Sequence, residues 1–117
     1  MAQGPETGHV VVLITAPDSQ QAQTIADALV KEKLAACVSV LPSVQSLFWW
    51  EGKPCSQGET LLLAKSLAQC VERIVARVEQ LHAYDVPEII ALPIVAGSRP
   101  YLRWMDEVLA GDPGAAQ

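Results

Sequence analysis

The run HVVVLITA, His9 to Ala16, constrains this chain most. It is almost wholly aliphatic and β-branched, without the polar alternation of a strand that is wet on one side. Such a run fits a strand covered on both faces. Pro17 ends it, and Asp18 with Gln21 then makes a capping-box pattern for a helix. Ala22, Ile25, Ala26, Leu29 and Leu34 give that helix an apolar stripe, which must lie on a sheet.

The later segments follow the same grammar. Ala36 to Leu41 reads as a second strand, and Pro42 with Ser43 bends it. VQSLFWWE continues extended through Glu51, and GKPCSQG, residues 52–58, has the composition of a hairpin tip. Glu59 to Lys65 is the return strand of a long hairpin that projects past the sheet. Ser66 and Gln69 form a second capping box. Leu67, Cys70, Val71, Ile74, Val78 and Leu81 form the clearest helical stripe in the chain. The loop HAYDVP leads into a strand from Glu88 to Val95, where Pro93 removes a donor and implies an edge position or a bulge. A last helix spans about Pro100 to Leu109, with Pro100 in its first turn and Gly111 at its end. The order β-α-β-β-α-β plus a C-terminal helix predicts an α+β, ferredoxin-like sandwich with helices on one face. One domain covers residues 9–110, with 1–8 and 111–117 as flexible termini.

Half of the 117 residues are hydrophobic, a large share for a domain with so little interior volume. The excess points to a subunit interface; a monomer with both sheet faces covered is the alternative. In a strand, Trp49 and Trp50 must point to opposite faces, so one indole needs a partner chain unless the hairpin curls over it. Phe48 belongs to the same cluster. A net charge of −5 argues against nucleic acid. No apolar run approaches a membrane span. Three cysteines, Cys37, Cys55 and Cys70, with no C-x-x-C spacing, fit reduced thiols in a cytoplasmic protein. Cys37 reads as a small core residue, Cys55 as an exposed loop residue, and His9 as part of a frayed edge.

No nucleotide, hydrolase or metalloprotease motif occurs. The chemistry-bearing stretch is LHAYDVPEIIALPIV, Leu81 to Val95. His82 falls at the end of the second helix, where the helix dipole favours a cation, and Glu88 follows after a turn. Imidazole plus carboxylate suits copper or zinc as a partial ligand set. Two ligands are too few for a tight site, and a capping histidine beside a surface glutamate explains the spacing equally.

Separated segments in fixed order make the chain recognisable: TAPD at 15–18, KEKLAACVSVLP at 31–42, WWEGK at 49–53, LLLAK at 61–65, HAYDVPEIIALPI at 82–94 and PYLRWM at 100–105. Together they resemble the CutA family of divalent-cation tolerance proteins, from Val11 to about Leu109. The resemblance implies a ferredoxin-like fold in a tight homotrimer, with hairpin strands pairing between neighbours, similar to the PII-type signalling trimers. It implies Phe48, Trp49 and Trp50 at the trimer interface. It also implies tolerance to copper and other divalent ions, with His82 and Glu88 as metal ligands. The cysteine proposed as third ligand in bacterial members is replaced here by Ile14. A loose copper(II) or zinc(II) site therefore remains, completed at a subunit boundary, with no cofactor required and no catalysis. The other expectation is a PII-like small-molecule module, with Lys65, Tyr84 and Asp85 in an inter-subunit cleft. A scaffold that holds partner proteins is a third.

Overall fold

A computed structural model of the protein describes residues 7–110. The chain forms β1 (His9–Ala16), α1 (Ser19–Lys31), β2 (Cys37–Trp50) and β3 (Lys53–Leu67). A short 3-10 turn (Ala68–Cys70) then leads into α2 (Val71–Leu81), followed by β4 (Ile89–Pro93) and α3 (Arg99–Ala110). One sheet holds all four strands in the order β2-β3-β1-β4, with every neighbouring pair antiparallel. Each β-α-β unit thus leaves room for a strand of the other unit. The architecture is a small α+β fold with the expected element order.

One face of the sheet carries the core. Val12, Ile14, Leu62 and Ala64 are fully buried there against Ile25 and Leu29 of α1 and Ile74 and Val78 of α2. The periodicity of both helices follows from this single apolar layer. Asp18 caps α1 by accepting from the Gln21 amide at 2.8 Å. At the other end Lys33 takes φ 57°, and the Leu34 amide donates back to the Leu29 carbonyl. Leu34 and Leu29 both enter the core, which is the apolar contact of a Schellman ending.

Among the described residues, a helix covers the opposite face only at one end. There α3 lays Met105 and Leu109 against Ala36 and Leu67. His9 is fixed at this end. It is buried, pairs with Leu67 across the sheet, and places Nε2 2.9 Å from Asp106 Oδ1. The frayed edge expected at His9 is therefore a strand end clamped by α3. Thr7 donates to the Ile94 carbonyl and Gly8 accepts from the Ala68 amide, so the two residues before His9 are also held. Residues 1–6 and 111–117, including Gly111 as the expected helix stop, lie outside the described residues.

Three local expectations are corrected. The hairpin tip is only Glu51 and Gly52, with φ of 51° and 81°, and KPCSQG belongs to β3. Positive φ at both central residues is the two-residue turn that matches strand twist, and Gly52 adopts it without strain. The Pro42–Ser43 bend is a bulge inside β2, where the pairing slips between Leu41 and Val44. Ser66 does not cap α2: it lies within β3, fully buried, and its hydroxyl donates to the Leu34 carbonyl at 2.5 Å. A long-range partner has taken the side chain that the local pattern assigned to the helix. Pro93 sits on β4, an edge strand, as its missing donor requires. That strand spans only Ile89–Pro93, shorter at both ends than the run Glu88 to Val95.

Candidate functional site

Loop 82–88 joins α2 to β4 and is held by three separate clamps. The first is Gln21. Its side chain does not return to close a capping box; its amide nitrogen donates to the Leu81 carbonyl and its oxygen accepts from the Ala83 amide at 2.6 Å. The second is His82, the residue that ends α2. Its Nε2 lies 2.7 Å from the Thr15 carbonyl, and its Nδ1 accepts from the Tyr84 amide at 3.0 Å. A carbonyl accepts only, so the proton sits on Nε2, and the Nδ1 lone pair is already in use. The third is Tyr84, whose ring packs 4.8 Å from the imidazole. Its hydroxyl donates to Glu59 Oε2 at 2.9 Å and accepts from Gln57 Nε2 at 2.6 Å. Desolvation first, then the hydrogen bond and charge of Glu59, push the Tyr84 phenol up to about 12.

These clamps leave a cleft of about 650 Å³ between the loop and the hairpin arm. Its floor is Thr15, Gln57 and Glu59, all on the open face of the sheet, and its rim is Asp85, Val86 and Glu88 from the loop. The arm supplies Leu47, Phe48 and Trp50. Phe48 faces Cys55 across the ladder and Trp50 faces Lys53, so both share the face of the cleft, whereas Trp49 points the other way and is 73% exposed. Cys55 is accordingly a half-buried strand residue lining the cleft, not an exposed loop thiol.

The structure thus brings Tyr84, Asp85 and Glu88 together and adds Glu59, Gln57, Thr15 and Gln21. Glu59 carried no warning in ETLLLAK, because its importance comes from pairing with the arm. Lys65 is not part of this group. It lies six residues further along β3, where its Nζ is 2.5 Å from Ser39 Oγ and 3.9 Å from Cys37 Sγ. Cys37 is half-buried on that same open face, beside Lys65, and is not a core residue; Cys70 is fully buried, as its helical stripe requires.

As a metal centre the donor set fits poorly. Among the described residues no three His, Cys, Asp or Glu side chains gather closely enough to hold an ion. His82 would have to release the Tyr84 amide before Nδ1 could ligate, and Ile14, where a sulfur donor is expected, is fully buried in the core. The described residues of one chain therefore do not build a tight site.

Among the described residues no helix is long and apolar enough to cross a membrane. The family profile described as "CutA1 divalent ion tolerance protein" matches residues 10–108. The divalent-cation tolerance protein CutA of Thermus thermophilus is 48% identical over 97 residues, covering 83% of this chain and 94% of that protein. A rice protein named "CutA 1, chloroplastic" is 41% identical over 82% of this chain, which spans only 54% of its length. The solved structure of the Thermus thermophilus protein superposes with a TM-score of 0.83 at 47% identity, over 85% of this chain and 96% of that one. From its strand order to its separated motifs, the chain belongs to the CutA1 family of divalent ion tolerance proteins.

Proposed function

We propose that this protein serves divalent-cation tolerance as a cytoplasmic homotrimer that holds ions such as copper(II) or zinc(II) loosely and performs no catalysis. The family match over residues 10–108 carries the tolerance role. The ferredoxin-like, PII-like trimer is supported by the open face of the sheet. Val11, Leu13, Leu61 and Leu63 are only half-buried there, and Leu41, Ile90 and Leu92 are 40–49% exposed. With Leu47, Trp49 and Trp50 on the arm, this is far more exposed apolar surface than scattered single residues produce. Three copies packing these faces together, arm to neighbouring arm, would cover it. Metal would be gained by His82 and Glu88 with ligands from a second chain, which accords with a weak, tolerant site.

The test is a titration of copper(II) and zinc(II) into the wild type, His82→Ala and Glu88→Ala, with particle mass followed by light scattering. The expected result is a trimer mass throughout, and metal binding weakened in both variants. Affinity untouched by either substitution removes the loop from metal binding, and a stable single-chain particle removes the trimer. A second reading, a small-molecule module of PII type, is favoured by the volume of the cleft beside Tyr84 and Asp85.

A further inference from the structure

We propose that the cleft between the arm and loop 82–88 binds an organic cation with two separated positive charges, of the diamine or polyamine class. The inference rests on the small-molecule reading of this cleft, at a boundary that a neighbouring arm would share, and does not depend on the metal reading. Three observations converge.

The first is charge. Glu59, Asp85 and Glu88 line the cleft, and among the described residues no lysine, arginine or histidine does. The second is a pair of largely buried residues whose unpartnered oxygens open onto the cleft. Glu59 is 8% exposed, yet among the described residues its only partner is the Tyr84 hydroxyl on Oε2, and no ammonium or guanidinium pairs with it. The oxygen that Tyr84 leaves free still reaches the cleft, where a cation can join it. Thr15 is 7% exposed and lines the same floor, and among the described residues its hydroxyl makes no hydrogen bond. A carboxylate oxygen and a hydroxyl on one cleft floor can both accept from N–H donors. The third is the wall. Phe48 and Trp50 present aromatic surface to a space already rich in negative charge, which suits methylene groups and the faces that attract cations.

At the floor of the cleft, apart from the His82 and Glu88 pair, the same observations disfavour a bare metal ion. An ion needs several ligands within roughly 2–2.6 Å. These carboxylates do not gather in that way among the described residues, and the space of about 650 Å³ is far larger than an ion fills. A flexible diamine has no such requirement. One ammonium is placed at Glu59 and Thr15 on the floor, the methylene chain runs along Phe48 and Trp50, and the second ammonium meets Asp85 and Glu88 at the rim.

The experiment is calorimetric titration of the full-length protein with 1,4-diaminobutane and with spermidine. Butylamine, magnesium chloride and sodium chloride at matched ionic strength serve as controls. Saturable binding of both polycations is expected, with butylamine weaker. Glu59→Gln keeps the shape and an acceptor for Tyr84 and should lose roughly tenfold or more in affinity, since a hydrogen bond to a charge is removed. Glu88→Gln should weaken the diamines and leave butylamine unchanged. Circular dichroism and light scattering on each variant check that fold and particle mass are kept. Absence of saturable heat, equal binding by Glu59→Gln, or an equal response to magnesium overturns the proposal. So does a loss of particle mass in Glu59→Gln without diamine binding, because a neighbouring chain's cation is then the partner of Glu59. The metal titration with His82→Ala is read separately, so either proposal can fail alone.

Discussion

The β2–β3 ladder has two halves that obey different rules. Below the bulge at Leu41 and Val44, its residues lie under α1 and α2, and Leu62 and Ala64 are fully buried. Above the bulge no helix covers it, and Leu47 and Trp49 are 78% and 73% exposed. Both halves are strands of the same two segments, joined by continuous pairing. The lower half gains its stability from the chain's own core. The upper half is an apolar arm whose stability within one chain comes mainly from backbone pairing. The comparison teaches that hydrophobic content alone does not mark a core; what matters is whether the helices reach that far along the sheet.

The widest contrast is expected between Leu62→Ala and Trp49→Ala. Emptying the Leu62 site should cost about 2–5 kcal/mol in a denaturant melt. Trp49→Ala should leave the circular dichroism spectrum of the fold intact and lower the particle mass in light scattering. If Trp49→Ala unfolds the chain as Leu62→Ala does, the two halves are not separable. Next comes Ser66→Ala. It strands the Leu34 carbonyl without the buried hydroxyl, at a cost of about 1–3 kcal/mol in the same melt. Gly52→Ala should cost about 1–2 kcal/mol, because a side chain enters the left-handed region at φ 81°. The loss should appear as faster amide exchange in the arm, with exchange below the bulge unchanged.

The smallest expected effect is a pH dependence at the cleft. The Tyr84 phenol is raised from its ordinary 10.0 to about 12, so its proton is held more firmly in the folded chain than in the unfolded one. The stability this provides is complete below pH 10 and is lost as pH rises through about 12. The difference in melting temperature between wild type and Tyr84→Phe should therefore be flat up to about pH 10 and narrow above it. A difference that stays constant from pH 9 to 12 would show that the phenol proton is not coupled to folding.

What the sequence made legible is what local pattern decides. The β-branched run of β1, the apolar stripes of α1 and α2, the Asp18 cap and the edge position of Pro93 each follow from neighbours a few residues away. The misread residues have partners far along the chain. Ser66 serves Leu34, Gln21 serves Ala83, His9 serves Asp106, and their side chains were free to follow either a local or a distant demand. The site divides in the same way. His82, Tyr84, Asp85 and Glu88 stand together in one loop and were visible as a group. Glu59 and Thr15 come from two different strands, and only the ladder register places them beneath that loop. Composition hinted at the arm through the tryptophan pair, but its two-residue tip depended on the backbone freedom of Gly52, which was masked by the polar run that follows it.

The contact between His9 and Asp106 has a practical corollary for engineering. It ties the first strand to the last helix, so β1 begins beside α3 at one corner of the domain. A short bridge could join them, and new ends could be opened at Glu51 and Gly52. Such a circular permutant should retain the packed layer while freeing the two strands of the arm to move independently.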